Sequence, residues 1–240
     1  MIVARIRSLV AYAWIIVYTG IVGPPAMLVT MLTGRVHHLL VLGVFAAKVA
    51  RILLGIRLQV EHREHVDGSR PTVYCINHRS HVDAVAQEVI FPRCPLLRVL
   101  HKAEMGKLPV LGPAMKMAGF VPVHRDDRER AFEAVDLAAA RLREGYSFLL
   151  APEGTRNSDA GLLPFKKGAF VMAIKAQVPV VPVAIIGADR AMPKGQLYVL
   201  PGEVTVRFGE PVPTAGMTLD DRDTLSERVR AAMLALLAEG

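Results

Sequence analysis

An uncharged stretch over residues 8–34 most constrains how this chain can fold. It exceeds the roughly 20 apolar residues that a helix needs to cross a bilayer. A Gly-Pro-Pro sequence at 23–25 removes backbone donors near its middle, which predicts a broken helix that enters a membrane and returns. Arg5 and Arg7 before the stretch and Arg35 after it favour this re-entrant form over a single crossing. A single transmembrane span and a pair of core helices in a soluble protein are the alternatives.

The next segment, residues 36–56, has a broad apolar surface and a narrow basic stripe at helical spacing. The stripe includes His37, Lys48 and Arg51. Such a helix suits the headgroup region of a bilayer. We therefore expect an N-terminal two-helix membrane-binding motif over residues 1–57 and a second domain over residues 58–240.

The charge balance points to an anionic partner. The 240-residue chain carries a formal net charge of +7. Nucleic acid and an acidic membrane surface are the usual candidates. No aromatic-rich nucleic-acid motif accompanies the basic residues, which favours the membrane and predicts no nucleic-acid partner. The two cysteines, Cys75 and Cys94, have no metal-ligand spacing and define no disulfide framework.

From residue 57 onward, short β-branched runs alternate with helical patterns. This alternation predicts an α/β domain with a mostly parallel central sheet flanked by helices. The predicted strands cover residues 58–61, 72–76, 98–101, 120–123, 147–150, 180–186 and 204–208. The predicted helices cover residues 83–90, 128–143, 167–177 and 220–238. In such sheets, ligands bind in the loops that follow the carboxyl ends of the strands.

His78 and Asp83 lie in the loop after the second predicted strand. At this spacing the carboxylate can accept a hydrogen bond from one ring nitrogen, which leaves the other basic and able to take a proton from a hydroxyl. The alternative is that His78 is a structural loop residue and Asp83 a helix-end charge. Cys75 and Ser80 are rival nucleophiles, but Cys75 falls within an apolar strand and Ser80 suits a helix cap.

A second polar loop follows the predicted strand at 147–150. Gly154 permits close approach of the backbone to a ligand, Thr155 offers a hydroxyl, and Arg156 offers a planar fork suited to phosphate. Alone, this loop could equally be a solvated turn. Lys102 and Arg125 follow two other strands and form a third candidate cluster.

Four blocks of this sequence, in order, resemble the glycerolipid acyltransferase family, especially the 1-acylglycerol-3-phosphate acyltransferases of bacteria. The first is similar to the family's His-x4-Asp motif and runs from Asn77-His78 to Asp83. The second extends over residues 102–125, the third is Pro-Glu-Gly-Thr-Arg at 152–156, and the fourth is Val-Val-Pro-Val at 180–183.

The resemblance implies roles for these residues. His78 would be the base and Asp83 its orienting partner. Arg156 would hold the phosphate of the acceptor with basic help from the second block. Three residues would shape the acceptor site: Glu153, Gly154 and Thr155. Two more, Lys102 and Arg125, would supply positive charge.

The resemblance also implies a reaction and a location. An acyl group would pass from acyl-CoA or acyl carrier protein to the free hydroxyl of 1-acyl-sn-glycerol-3-phosphate (lysophosphatidic acid), giving phosphatidic acid for phospholipid biosynthesis without metal or cofactor. The enzyme would sit on a bacterial inner membrane with its catalytic domain facing the cytoplasm. Alternatives are another lysolipid or glycerol-3-phosphate as acceptor, a membrane lipid hydrolase, and a lipid-binding module.

Overall fold

The computed structural model describes residues 1–157, 161–193 and 195–239. Two long helices, α1 (Ile2–Thr33) and α2 (His37–Leu54), precede an α/β body. The strands are β1 (Ile56–Glu61), β2 (Val73–Ile76), β3 (Leu97–Lys102), β4 (Val121–Val123), β5 (Ser147–Leu150), β6 (Val180–Ile186) and β7 (Gly202–Phe208). The other helices are α3 (Val85–Ile90), α4 (Leu111–Met117), α5 (Arg128–Arg143), α6 (Gly168–Ala176), α7 (Ala188–Ala191) and α8 (Arg222–Ala238).

The strands form one 7-stranded sheet in the order β1-β7-β6-β2-β5-β3-β4. Neighbouring strands run parallel except β6 and β7, which are antiparallel. In β2, Val73 and Cys75 face the layer of α5, α6 and α8, while Tyr74 and Ile76 face the layer of α2, α3 and α7. Both faces are buried, which explains the continuous apolar run in this strand. The predicted fold class is confirmed, and each strand begins and ends within two residues of its predicted position.

Helices α4 and α7 lie outside the predicted helical ranges. Pro113 lies in the first turn of α4, where a missing N–H leaves no hydrogen bond unmade. Gly112 packs against the preceding turn, since a Cβ there would lie 2.1 Å from the Gly106 carbonyl oxygen. The turn itself is strained, because Val110 has a φ of 60°.

Helix α1 runs unbroken through Pro24 and Pro25, so the predicted break at 23–25 is wrong. Contacts with α2 hold the helix on both sides of the prolines. Trp14 Nε1 donates to the Ala46 carbonyl at 3.1 Å, and Thr30 Oγ1 lies 2.8 Å from His38 Nε2. Each proline removes its own backbone donor and crowds the carbonyl four residues earlier, and the anchored segments on either side keep the intervening turn helical.

Gly23 has a packing role instead. A Cβ at this position would lie 2.5 Å from Cγ1 of Val110, so glycine lets α1 approach the turn before α4. The opposite face of α1 is apolar and exposed along the whole helix, through Ile2, Ile6, Leu9, Ile16, Ile21, Leu28 and Met31. Both α1 and α2 are long and apolar enough to cross a membrane. Because one face of α1 packs on the protein body, only the other is available to lipid.

Candidate active site

The strand register brings the candidate loops to one edge of the sheet. Cys75 in β2 lies opposite Leu150 in β5, and Val99 in β3 lies opposite Leu149 in β5. These three strands are parallel, so the loops that follow them leave the sheet side by side. The structure therefore places His78, Arg156 and Lys102 around a common space, as the sequence predicts.

His78 and Asp83 form a hydrogen-bonded pair. Nδ1 of His78 lies 2.8 Å from Oδ2 of Asp83, with the histidine side chain 27% exposed and the carboxylate 3% exposed. The same oxygen accepts from the backbone N–H groups of Arg79 and Ser80 at 2.9 and 3.0 Å. A carboxylate only accepts here, so Nδ1 carries the hydrogen and Nε2 keeps its lone pair. His78 lines the main cavity, where Nε2 can act as a base.

Glu153 holds the two candidate loops together. Its carboxylate is 3% exposed and accepts from the backbone N–H of His78 and the backbone N–H of Leu163, both at 2.8 Å. The backbone N–H of Asn157 donates to the His78 carbonyl at 2.8 Å. Both oxygens of Glu153 are thus directed to the protein backbone. In this position it fastens the loop of His78 to the loop of Arg156, and its part in shaping the acceptor site stays a prediction.

Asn77 and Arg79, which the sequence did not predict to have a role, position the His78 loop. The buried amide of Asn77 donates to the carbonyl of Ile185 at 3.0 Å and accepts from its N–H at 2.7 Å, which fixes the end of β2 against β6. Arg79 donates to Asp189 at 3.1 Å and to the carbonyl of Gly161 at 3.0 Å. The available signal for Asn77 was an amide directly after a buried strand, because a buried amide requires partners.

The rival nucleophiles lie away from the reacting position. Cys75 is fully buried and faces the layer of α5, α6 and α8, and burial strongly raises the pKa of its thiol. Ser80 caps the short turn at 81–84, where its hydroxyl accepts from the N–H of Val82 at 3.2 Å and donates to the carbonyl of Met192 at 3.0 Å. Neither is arranged as an activated nucleophile.

Apart from Glu153, the candidate residues line one cavity of about 1310 Å³. Pockets for drug-sized ligands occupy roughly 300–1,000 Å³, so this cavity has room for more than one substrate. Its polar lining includes His78, His81, Lys102, Arg125, Gly154, Thr155, Arg156 and Lys166, and also the acidic Asp126. Its apolar lining includes side chains of α1, α2 and α4, among them Val22, Ala26, Leu40, Val44 and Met115. The two N-terminal helices therefore form part of the cavity wall.

Positive charge collects at the polar part of the cavity. Partial desolvation, and after it the positive charge of Arg156, lowers the pKa of the neighbouring His81. The stem of Lys166 lies across Gly154, whose φ of 71° suits glycine and whose added Cβ would meet Lys166 Cε at 2.8 Å. Lys102 contacts Glu104 at 3.4 Å, and Arg125 is exposed at the cavity wall. This charge suits an anionic group such as a phosphate.

The sequence pattern of the protein family described as Acyltransferase matches residues 57–186. This range contains every predicted site residue and more than half of the chain. The chain belongs to the acyltransferase family.

This acyltransferase is similar to human 1-acyl-sn-glycerol-3-phosphate acyltransferase alpha, with 34% identity over 194 residues, and spans 66% of that enzyme's length with 79% of its own. It is 32% identical to the human beta enzyme over 241 residues, which cover 97% of this chain and 85% of that one. Its fold resembles the crystal structure of the 1-acyl-sn-glycerophosphate (LPA) acyltransferase PlsC from Thermotoga maritima, with a TM-score of 0.78 and 26% identity. That match covers 97% of this chain and 95% of the other.

Proposed function

We propose that this acyltransferase moves a fatty acyl group from acyl-CoA or acyl carrier protein to the free hydroxyl of 1-acyl-sn-glycerol-3-phosphate, giving phosphatidic acid. The observation that carries the proposal is the 2.8 Å pair of His78 and Asp83 at a cavity that is cationic in one part and apolar in another. A lysophosphatidic acid has the matching halves, a phosphate and an acyl chain. The names of the human and Thermotoga relatives support the same acceptor.

The reaction follows from the free nitrogen of His78. The acceptor hydroxyl loses its proton to Nε2 while its oxygen attacks the thioester carbonyl carbon. The C–S bond then breaks, and the departing sulfur takes the proton from the imidazolium. A positioned general base contributes about 10²–10⁴-fold to such a step. The buried carboxylate of Asp83 stabilises the transient positive charge on the ring, and the reaction needs no metal or organic cofactor.

The acceptor phosphate is bound by Arg156, with Lys102, Arg125 and Lys166 supplying further positive charge. Arg156 precedes a loop segment whose backbone is tied to His78, so the bound phosphate and the base keep a fixed separation. A fixed separation favours the near-attack geometry of the hydroxyl.

Replacing Arg156 with alanine is expected to raise the KM for lysophosphatidic acid about 10–10²-fold, because a charge-assisted hydrogen bond contributes roughly 1.5–3 kcal/mol. The KM for the thioester donor should change less than about threefold, since the donor carbonyl does not bind this guanidinium. Lysine should rescue only in part because it lacks the planar fork. Steady-state kinetics with each substrate varied in turn measures both constants.

Arg228→Ala is the matched control, since Arg228 is exposed on α8 in the helical layer opposite α2. It should leave both constants unchanged. Equal increases in both KM values for Arg156→Ala would contradict a specific role in binding the acceptor phosphate.

The enzyme lies on a membrane with the exposed face of α1 in the lipid and its catalytic domain on the cytoplasmic side of a bacterial inner membrane. The exposed apolar side chains of α1 and the excess of basic residues support this placement, because anionic lipids attract Lys and Arg at the cytoplasmic leaflet. An interfacial α1 also brings the cavity, whose wall it forms, to the depth of the lipid acceptor.

Single cysteines in place of Arg5 and Arg35 test this arrangement. Both arginines are exposed, and both native cysteines are buried, so background labelling is low. With α1 lying along the surface, both new cysteines should react with a membrane-impermeant maleimide from the same side of sealed vesicles. Arg228→Cys on α8 reports the side of the catalytic domain. Labelling of the two N-terminal positions from opposite sides would show that α1 crosses the bilayer.

Product analysis separates the remaining alternatives. Purified enzyme with lysophosphatidic acid and acyl-CoA or acyl carrier protein should form phosphatidic acid in equal amounts to the released thiol. Free fatty acid as the main product would indicate a hydrolase, and no turnover with any donor would indicate a lipid-binding module. Replacing the acceptor with glycerol-3-phosphate or another lysolipid tests acceptor choice directly.

A further inference from the structure

A single exposed leucine stands out in the loop between α7 and β7. Leu197 is 82% exposed, the largest fraction among the exposed large hydrophobic side chains in the described part of the chain. Nearby Val199 is 2% exposed, so the same loop buries one apolar side chain and exposes the other. Isolated exposed leucines are common and need no special explanation. The surroundings of this one are therefore what matters.

The loop of Leu197 is fastened to the first three turns of α1. The hydroxyl of Tyr12 donates to the Leu197 carbonyl at 2.8 Å, and the N–H of Val199 donates to the hydroxyl of Ser8 at 2.8 Å. The N–H of Leu200 donates back to the carbonyl of Ala191 at 2.7 Å, which closes the base of the loop. Leu197 is thus held beside α1 without a further ordering cost on binding.

This part of α1 presents apolar side chains to solvent. Ile2, Ile6 and Leu9 are 75%, 56% and 70% exposed. Leu197 is therefore exposed at the same end of the molecule as the apolar side chains that the proposed function places in the lipid.

Arginine and tyrosine side chains border this apolar surface. The guanidinium of Arg5 lies 5.4 Å from the ring centre of Tyr198. Tyr12 is 39% exposed, and its hydroxyl contacts the backbone of Leu197. Tyr198 follows Leu197 directly in the sequence. Tyrosine and arginine are favoured where apolar tails meet anionic headgroups. Because this border lies beside the end of α1 that the proposed function places in the bilayer, we take lipid as the occupant.

The same segment touches the catalytic loop. The carbonyl of Met192 accepts from the hydroxyl of Ser80 at 3.0 Å, and Asp189 binds Arg79 at 3.1 Å. Ser80 and Arg79 flank the His78–Asp83 pair in sequence. One short segment thus connects the N-terminal part of α1 with the loop that carries the base.

We propose that the described parts of the loop between α7 and β7, residues 192–193 and 195–201, form a third membrane-contacting element, which inserts Leu197 into the same leaflet as α1 and holds the His78 loop at a fixed depth relative to the lipid acceptor. The proposal rests on the placement of α1 in the membrane. It assigns the loop two contacts, one with the bilayer through a side chain and one with the catalytic loop through its backbone.

The insertion is tested with an environment-sensitive fluorophore on Leu197→Cys in the full-length enzyme, reconstituted into vesicles of phosphatidylcholine and phosphatidylglycerol. Cys75 and Cys94 are buried and should not label. Lipids with a nitroxide near the top of the acyl chain should quench this probe. Leu9→Cys, at a position 70% exposed on α1, is the positive control. Leu137→Cys, 48% exposed on α5 in the opposite layer, should stay unquenched.

The outcomes separate this proposal from the one on which it rests. Quenching at Leu9 without quenching at Leu197 overturns the role of the loop and leaves α1 in the membrane. Absence of quenching at both positions overturns the membrane placement of α1 and the loop proposal with it. Cross-linking between Leu197→Cys copies without lipid quenching would show that a second chain covers the loop, which also overturns the proposal.

The functional consequence is tested with Leu197→Glu. The contacts that fasten the loop use the backbone of Leu197 and Val199, so the substitution should not disturb them. Activity on lysophosphatidic acid in vesicles should fall about tenfold, in line with the loss of one buried leucine side chain. Activity on a water-soluble short-chain acceptor should not change. Equal activity of the variant and the wild type on vesicles would overturn the coupling of the loop to catalysis, as would an equal loss on both acceptors.

Discussion

Replacing His78 with alanine is expected to lower kcat by about 10³-fold or more, because it removes the only base that the proposed mechanism assigns to the attacking hydroxyl. The fold should persist. The bonds that join this residue to Glu153 and Asn157 use its backbone N–H and carbonyl, which alanine retains. The side chain is also 27% exposed, so little apolar packing is lost. Measurement of kcat together with thermal unfolding separates the two effects.

The neighbouring His81 is the matched control. It lines the same cavity but does not contact a carboxylate that would orient its ring, among the contacts described for it. His81→Ala should lower kcat less than about tenfold, since a residue beside the phosphate site mainly affects binding. A larger loss for His81→Ala than for His78→Ala would exchange the roles of the two histidines. Retention of more than about a tenth of the wild-type rate by His78→Ala would rule out the proposed base.

Asparagine and alanine at position 83 are expected to damage the enzyme by different amounts and for different reasons. Oδ2 of Asp83 accepts from His78 Nδ1 and from the backbone N–H groups of Arg79 and Ser80, while Oδ1 is buried without a hydrogen-bond partner. The three donors require an oxygen, so the amide of an asparagine should place its oxygen there and its nitrogen at the position of Oδ1. The histidine would then keep its tautomer.

Asp83→Asn should therefore lower kcat about 10–10²-fold, through loss of the negative charge that stabilises the imidazolium. Asp83→Ala should lower kcat about 10³-fold and reduce the Tm as well. It leaves the backbone N–H groups of Arg79 and Ser80 without this acceptor, and the buried one at Ser80 costs roughly 1–3 kcal/mol. Kinetics and thermal unfolding of both variants measure these differences. Asp136→Asn, whose carboxylate is exposed on α5 and paired with Lys175, is the matched control and should change neither quantity.

Equal loss of kcat in the asparagine and alanine variants, with an unchanged Tm for asparagine, would contradict this account. It would show that the amide nitrogen faces His78 and reverses the ring tautomer. The two variants thus test whether the backbone donors of Arg79 and Ser80 decide the orientation of the side chain at position 83.

The fold class and the centre of the site could be predicted because their signals are local. Buried strands appear as short β-branched runs, and parallel strands joined by helices carry their loops to one edge. His78 and Asp83 are five residues apart, and Ser80 begins the turn between them, so the pair can form whatever the rest of the chain does. The order of the four family blocks then identified the chemistry that this pair supports.

The predicted helical break was wrong because the contacts that prevent it come from residues distant in sequence. A Gly-Pro-Pro sequence reads as a break in any isolated helix. The contacts that keep α1 continuous come from α2 through Trp14 and Thr30, and the tight approach at Gly23 involves Val110 on another element. Tertiary packing overrides local propensity at such positions.

The amino-acid sequence by itself determined the α/β class, the strand positions, the apolar N-terminal helices and the histidine–aspartate pair, since each depends on periodicity or on neighbours along the chain. Only the tertiary structure decided that Glu153 holds the His78 loop, that Asn77 pairs with Ile185, and that α1 and α2 wall the cavity. These contacts join residues 75 or 108 positions apart. Their formation depends on strand order and register, which no local pattern of side chains specifies.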